Sequence, residues 1–303
     1  MGVHLVLFGL GLAWLASGPS TPELLLAAVY MAFVSTQLSF AVHDAGHHQL
    51  FAAPWKNDLV GYFHANFLLG MSYSWWCDNH NRHHRHPNQA SLDPDISIPV
   101  LAFFEEQAVA KKGLARWIVK RQAFLFFPLT LLEAISKRRG TLLYLFQNRA
   151  PHTRIESLLV AVNYALYLGL LFRWLAPGPA LLFIAVHQAL YGAYMAAVFA
   201  PNHKGMPVLP PGAPLDPLRL QVLTARNLKP HPLMDFLLGG QNYQIEHHLF
   251  PTLARERFRD AREIVRPFCE ARSIRYYQTG VLQSYKEILR HLHKASSPLR
   301  TGS

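Results

Sequence analysis

The chain has 303 residues and a formal net charge of +11, and 51% of its residues are hydrophobic but only 16% are charged. So few charges, with hydrophobic residues clustered along the chain, argue against an ordinary soluble globule. No basic stripe with interleaved aromatic residues occurs, which argues against nucleic acid as the partner of this basic chain.

Four apolar stretches predict membrane helices, because crossing a bilayer takes about 20 apolar residues. The first, residues 3–18, is uncharged but short. It lacks the positively charged start of a signal peptide, so we interpret it as a short first span. The other three are residues 22–42, 155–175 and 179–200.

The positive charges orient these spans. Of 29 Lys and Arg residues, 13 lie in 43–154 and 15 in 203–303, whereas the connections 19–21 and 176–178 have none. Positive residues accumulate in cytoplasmic loops, and they also contact anionic lipid headgroups. The predicted fold class is an all-α integral membrane protein, with four transmembrane helices in two hairpins and a cytoplasmic helical cap.

We interpret the chain as a single membrane domain, in which five segments follow one another. They are a first hairpin (1–42), a cytoplasmic region (43–154), a second hairpin (155–200), a second cytoplasmic region (201–296) and a disordered tail (297–303). Residues 205–218 hold five prolines and predict a stiff loop.

Histidines concentrate in three short motifs at the edges of the polar regions. They are HDAGHH at 43–48, HNRHH at 80–84 and QIEHH at 244–248. In the first motif, His43 and His47 share a helix face if the helix continues. In the second, positions i, i+3 and i+4 project from one side of a helix. The third repeats that spacing, with Gln244 in the first place.

Eight imidazoles in these motifs are too many for one ion, since zinc takes four ligands. Two five- or six-coordinate ions would use them and leave places for oxygen. Imidazole suits iron, zinc, copper and nickel alike, so the ligands do not choose the metal. A non-enzymatic metal transporter or sensor is the alternative, but transport needs ligands inside the spans. Only His187 lies deep in a confident span, where we expect a hydrogen-bonded packing residue.

A shared metal site requires all three motifs to lie on one side of the membrane. The apolar segment 59–76 is therefore predicted to lie along the interface or in the protein interior. Segment 122–135 is also predicted not to cross the membrane. The last span delivers Asn202 and His203 to the same edge, so both are candidates. Asp44 and Glu246 stand next to motif histidines and could orient an imidazole, although a surface carboxylate is the alternative for each.

The three motifs resemble those of the membrane-bound fatty acid desaturases. They have the forms HxxxHH, HxxHH and QxxHH, occur in this order and are separated by paired membrane spans. The resemblance covers about residues 20–260, and GGQNYQIEHHLFP at 239–251 is its most specific part. It implies a di-iron centre, O2 as oxidant and an acyl chain as substrate. The iron ligands that it implies are His43, His47, His48, His80, His83, His84, His247 and His248, with His203 at the place of a further ligand. Gln244 stands where many relatives have histidine.

The chain carries no His-Pro-Gly-Gly motif of a fused cytochrome b5 domain. We therefore expect electrons from a separate ferredoxin or cytochrome b5-like protein with its reductase. The resemblance predicts a fatty acid desaturase acting on an acyl-lipid or acyl-CoA at the cytoplasmic face of the membrane. A hydroxylase of lipid, alkane or carotenoid from the same histidine-box superfamily is the closest alternative.

Overall fold

The computed structural model describes residues 2–301, which are mostly helical. The helices are α1 Gly2–Ala16, α2 Thr21–Gly46, α3 Pro54–Gly61, α4 Tyr73–Arg85, α5 Glu105–Val109, α6 Gly113–Lys120, α7 Gln122–Thr130, α8 Glu133–Phe146, α9 Thr153–Trp174, α10 Pro177–His203, α11 Pro217–Leu223, α12 Pro232–Leu237, α13 Gln244–Leu249, α14 Phe258–Ala271, α15 Val281–Ala295 and α16 Pro298–Thr301. Two short strands are β1 Asn227–Leu228 and β2 Gln278–Thr279. The chain divides into two compact units, Met1–Asp78 with Leu129–Ala196 and Asn79–Pro128 with Ala197–Ser303.

Three helices of the described chain are long and apolar enough to cross a membrane: α2, α9 and α10. They coincide with three of the four predicted spans. The fourth prediction, near the N-terminus, corresponds to α1, which has 15 residues. At 1.5 Å per residue, α1 measures about 22 Å and is shorter than a hydrocarbon core of about 30 Å.

The first unit is built around α2. The side chains of Leu24, Ala28 and Met31 are buried in a cluster with residues of α1, α9 and α10. Gly11 of α1 lies so close to α2 that a Cβ atom there would stand 2.2 Å from the Met31 sulfur. The glycine therefore permits the close packing of α1 against α2.

Segment 59–76 contains no continuous helix that could cross a membrane. Helix α3 passes into a π-helix at Tyr62–Leu68, and the chain then turns at Gly70, where φ is +65°. Asn163 of α9 donates to the carbonyl oxygens of Phe67 (2.8 Å) and Leu68 (3.0 Å). The break thus lies in the protein interior, one of the two predicted places, and α9 satisfies its backbone groups.

The same unit pairs the polar side chains of this break with a buried carboxylate. Glu156 of α9 accepts hydrogen bonds at Oε2 from Asn66 Nδ2 (3.0 Å) and Ser72 Oγ (2.6 Å). Glu156 and Asn66 are both fully buried. Residues 66–72 are therefore fixed to α9 by polar contacts, which explains how an apolar sequence tolerates a helix break there.

The second unit packs α11, α13 and α14 around a small core. Its buried residues are Val222, Ala225, Ile245, Val265, Cys269 and Ile274. Strands β1 and β2 pair in parallel, with Asn227 opposite Gln278 and Leu228 opposite Thr279. This core holds the helix that carries the third histidine motif.

The prediction of a disordered tail from residue 297 is wrong for 298–301, which form α16. Leu299 is buried against Ala102, Ala108 and Val119. Burial of this apolar side chain offsets the chain entropy that is lost when the tail becomes ordered. Residues 302 and 303 lie outside the described part of the chain.

Candidate metal centre

Three elements of the second unit carry the second and third histidine motifs and the end of the last long helix. Helix α4 carries His80, His83 and His84 on adjoining turns, α13 carries His247 and His248, and α10 ends at His203. Helix α13 is only six residues long, but its five positions from Gln244 to His248 are all buried. These elements bring predicted ligands from distant parts of the sequence together.

Three imidazoles meet through their Nε2 atoms: those of His83, His203 and His248, which we call the triad. His203 Nε2 lies 3.3 Å from His83 Nε2 and 2.9 Å from His248 Nε2. One donor atom from each ring lies within 4.8 Å of the other two, and all three side chains are buried. The geometry is that of three ligands facing one point.

Asp93 fixes the ring of His83. Both carboxylate oxygens lie 3.0 Å from His83 Nδ1, and the backbone N–H groups of Asn88 (2.7 Å) and Asp95 (2.8 Å) donate to the same carboxylate. Because a carboxylate only accepts, Nδ1 of His83 must carry the proton. Burial lowers the pKa of His83, but the carboxylates of Asp95 and Asp93 reverse this, so the net pKa is raised.

The other two rings are held in the same tautomer by neutral acceptors. Nδ1 of His203 lies 3.1 Å from the carbonyl oxygen of Thr224, and Nδ1 of His248 lies 2.8 Å from Oε1 of Gln221. The amide of Gln221 is oriented because its Nε2 donates to the carbonyl oxygen of His84 at 2.9 Å. Burial, and then the neighbouring imidazoles, lower the pKa of His248 well below its ordinary value, so this ring is neutral.

These contacts leave three Nε2 lone pairs pointing at one another. Lone pairs at hydrogen-bonding distance repel unless a cation, either a proton or a metal ion, lies between them. The donor set therefore fits a metal ion, and imidazole nitrogen suits iron as well as zinc or copper.

Gln244, at the first position of the third motif, presents a nitrogen to this cluster. Its Nε2 lies 3.0 Å from His203 Nε2, and its Oε1 accepts from Asn202 Nδ2 at 3.0 Å. Asn202 Nδ2 also donates to the carbonyl oxygen of Val198 at 3.2 Å, which fixes that amide in turn. In this arrangement the amide oxygen of Gln244 is already engaged, and an amide nitrogen is a poor metal ligand.

The other predicted ligands in the second unit, His80, His84 and His247, lie beside the triad. His84 Nε2 is 3.1 Å from His80 Nε2, and the ring of His84 lies 4.7 Å from that of His247 and 4.2 Å from that of His248, between centroids. Six of the nine predicted histidine ligands are thus close neighbours in one unit.

Glu246, a predicted orienting residue, is used elsewhere. Its Oε2 accepts from Asn227 Nδ2 and its Oε1 from the Tyr276 hydroxyl, each at 2.7 Å. Asn227 also accepts the backbone N–H of Ile245 at 2.9 Å. Burial raises the pKa of the Glu246 carboxyl. This carboxyl therefore links α13 to the strand region and holds the third motif in position.

The first motif, in the other unit, does not keep its three histidines together. Helix α2 ends at Gly46; the rings of His43 and His47 lie 4.8 Å apart, and Asp44 Oδ1 lies 3.5 Å from His43 Nδ1. His48 adopts a positive φ of 54°, its side chain is 46% exposed, and its Nε2 lies 3.6 Å from Asp58 Oδ1. Asp44 is thus buried beside His43, and its role as an orienting residue stays a prediction, whereas His48 is exposed.

The first unit also contains an internal cavity of about 160 Å³. Its wall is mostly apolar and includes Leu12, Met31 and Phe183. Ser35 and His187 supply a polar edge: Ser35 Oγ lies 3.2 Å from His187 Nε2, and the hydroxyl of Tyr167, also in the wall, lies 2.8 Å from His187 Nδ1. His187 is the hydrogen-bonded packing residue that the sequence predicted.

Sequence reasoning missed three groups that orient the triad. Asp93 is fully buried and lies 3.0 Å from His83 Nδ1, whereas Asp95 is half-exposed and its Oδ2 lies 3.8 Å from the same atom. Gln221 and the carbonyl of Thr224 lie more than twenty residues before His248 and in no motif. The only signal for Asp93 was its place before proline, which is typical of a carboxylate that caps a turn.

Comparison with known proteins agrees with this geometry. Residues 19–280 match the family model described as fatty acid desaturase. The chain is 27% identical over 306 residues to an acyl-lipid (9-3)-desaturase of Physcomitrium patens, covering 97% of this chain and 57% of the relative. It is 32% identical over 273 residues to a Delta(5) fatty acid desaturase of Caenorhabditis elegans, covering 84% and 60%. The chain spans about three-fifths of the length of these relatives.

Proposed function

Since the chain belongs to the fatty acid desaturase family, we propose that it introduces a double bond into a long acyl chain in an O2-dependent reaction at a di-iron centre. The carbon–hydrogen bonds of the chain are oxidised, O2 is reduced to water, and a separate ferredoxin or cytochrome b5-like donor with its reductase supplies the remaining electrons. The observation that carries the proposal is the convergence of the three Nε2 lone pairs of His83, His203 and His248. The substrate is an acyl-lipid or an acyl-CoA.

We assign one iron to this triad. The resemblance implies a di-iron centre held by the motif histidines together, so we propose that the second iron is held by others among them: His43, His47, His48, His80, His84 and His247. Bound iron would supply the oxidising power that an unactivated carbon–hydrogen bond requires, which no side chain can provide. The placement of Gln244 favours a hydrogen-bond donor beside the centre over a ligand.

The contribution of the protein is to hold the imidazoles in one tautomer before the metal arrives. Asp93, Gln221 and the Thr224 carbonyl each accept from Nδ1, so all three Nε2 atoms face one another in the same tautomer. Burial keeps water away from the reacting atoms and strengthens these interactions. Arg226 ties the end of the last long helix in place, because it binds Glu287 at 2.6 Å and the carbonyl oxygens of Pro201 and Lys204 on either side of His203.

For the membrane topology we propose four spans in two hairpins, α1 with α2 and α9 with α10, and an active site on the cytoplasmic face. The distribution of Lys and Arg supports this orientation. We also propose that the cavity of the first unit receives part of the acyl chain. Ser35 in its wall precedes His43 by eight residues on the same helix, which is about 12 Å along the axis.

Fatty acid profiling after expression with a compatible electron donor tests the proposal. The intact chain is compared with a variant carrying His83→Ala and His248→Ala, and with His293→Ala, an exposed histidine outside the motifs, as control. We expect a new unsaturated fatty acid from the intact chain and the control only. A hydroxylated product would select the hydroxylase instead. Absence of product and of iron in the intact chain, with each donor class, would contradict the proposal.

A further inference from the structure

A basic segment of the second unit, around helix α6, has no place in the reaction. Between residues 107 and 128 the sequence contains five Lys or Arg residues and no Asp or Glu, and Glu105 and Glu106 stand just before it. The five are Lys111, Lys112, Arg116, Lys120 and Arg121. Helix α6 and the start of α7 lie within this stretch. A local charge of a single sign predicts an anionic partner.

The inward face of the segment is anchored. Val119 is buried against Ala102 and Ala108. Gln122, which is fully buried, donates to the carbonyl oxygens of Ala102 (2.9 Å) and Leu292 (2.8 Å). These contacts hold α6 and the start of α7 on the second unit and determine which side chains point outward.

The outer face, which we define as Leu114, Trp117 and Phe124, is apolar as well. These side chains are 73%, 51% and 81% exposed. Each square ångström of apolar surface left in water costs about 25 cal/mol. The segment thus has large apolar side chains on its outer side as well as on its buried side. This indicates that the outer side contacts an apolar environment other than the protein core.

The contact between an aromatic side chain of the outer face and a neighbouring positive charge is typical of a membrane interface. The Arg121 guanidinium lies 4.6 Å from the centroid of the Trp117 ring. Tryptophan prefers the headgroup level, where its ring lies beside acyl chains and lipid phosphates lie within reach of Lys and Arg. The composition favours a bilayer over a protein partner, because protein interfaces are depleted in Lys and the segment contains Lys111, Lys112 and Lys120. Anionic phospholipid supplies the negative charges that complement these Lys and Arg side chains.

We propose that the outer face lies in the headgroup region of the bilayer and that its flanking Lys and Arg residues bind anionic phospholipid. Helix α14 offers a contrast within the same unit. Its Ile264 is 73% exposed, as is Leu114, but it stands among residues of both signs, including Asp260, Glu263 and Arg266. Exposure is therefore equal at the two positions, and only the charge pattern differs.

Spin labels at Leu114→Cys and Phe124→Cys test this, with Ile264→Cys as the matched control. The full-length protein is placed in nanodiscs of phosphatidylcholine, with and without phosphatidylglycerol. Collision rates with oxygen, which concentrates in the bilayer, and with a water-soluble nickel chelate report the surroundings of each label. The protein without an added cysteine gives the background from Cys77 and Cys269.

We expect oxygen to dominate at residues 114 and 124 and the nickel chelate to dominate at residue 264. Phosphatidylglycerol should increase the oxygen contribution at 124, and Lys112→Gln with Arg116→Gln and Lys120→Gln should abolish that increase. Nickel accessibility at 114 and 124 equal to that at 264 would overturn the proposal. Labels immobilised and shielded from both reagents would also overturn it, in favour of a protein partner or a second copy. None of these readouts depends on desaturase activity.

Discussion

Two histidine motifs of nearly the same composition behave differently in this molecule. Residues 80–84 lie within α4, so their imidazoles remain on adjoining turns of one helix. Residues 43–48 run past the end of α2 at Gly46, and His48 takes a left-handed conformation with a half-exposed side chain. Motif spacing therefore gathers imidazoles only where the helix continues through the motif.

A second difference lies in the groups behind the rings. Each ring of the triad has an Nδ1 acceptor supplied by a different segment: Asp93, Gln221 and the carbonyl of Thr224. His48 has instead a longer contact, 3.6 Å, to the half-exposed Asp58. A close hydrogen-bond acceptor at Nδ1 distinguishes a preorganised metal ligand from a surface histidine.

The largest effect is expected from His203→Ala. His203 lies within 3.3 Å of both other triad rings, so its loss opens the centre on two sides. Product formation should fall by more than the roughly 10- to 100-fold that is typical when only an orienting residue is lost. Quantifying unsaturated product per folded protein checks this, and activity within threefold of the intact chain, a change worth roughly 0.6 kcal/mol, would remove His203 from the site.

Asp93→Asn should have the next largest effect. The substitution keeps the size of the side chain but removes the charge that fixes the tautomer of His83. We expect a loss of iron affinity of about 10- to 100-fold, measured as retained iron during dialysis against a chelator. Asp95→Asn is the matched control, because Asp95 is partly exposed and farther from His83 Nδ1, at 3.8 Å. A larger loss in the control than in Asp93→Asn would reverse the assignment.

Filling the cavity of the first unit should change selectivity more than total activity. Ser35→Phe places a ring in the wall of the cavity, so we expect the product profile to shift towards shorter acyl chains. Val29→Phe, on an exposed position of the same helix, serves as control. Comparison of product chain lengths in a mixture of fatty acids checks the shift, and an unchanged profile in Ser35→Phe would mean that the acyl chain lies elsewhere.

The smallest effect among the predicted ligands is expected from His48→Gln. Its exposed ring and its distance from Asp58 give it little support as a ligand. We expect a loss of activity below about tenfold, less than that of a well-supported ligand or its orienting partner. His43→Gln, in the buried part of the same motif, is the comparison. Equal losses in the two variants would show that motif spacing outweighs the end of α2.

The sequence predicted those features that depend on local pattern. Hydrophobic length located α2, α9 and α10, and helical spacing placed His80, His83 and His84 together, because both signals arise from neighbours in the chain. The prediction that segment 59–76 does not cross the membrane depended on the assumption of a shared metal site. In the structure Glu156 and Asn163 of α9 hold this segment by hydrogen bonds to residues that are distant in sequence.

The features that escaped prediction are also long-range. Gln221 reaches His248 across 27 positions, and the orientation of the Gln244 amide depends on Asn202, 42 positions away. No periodicity or motif records such contacts. The tail shows the same limit, since it was predicted to be disordered but Leu299 is buried beside Ala102, which lies far away in the sequence.

The most direct test of the metal centre is an anaerobic titration of the metal-free, full-length protein with ferrous iron. The intact chain is compared with a variant that replaces His83, His203 and His248 by alanine, after circular dichroism has shown that both are folded. We predict saturable iron binding by the intact chain and the loss of at least one tightly bound iron in the variant. Equal stoichiometry and affinity in the two proteins would contradict the claim that these three imidazoles hold the metal.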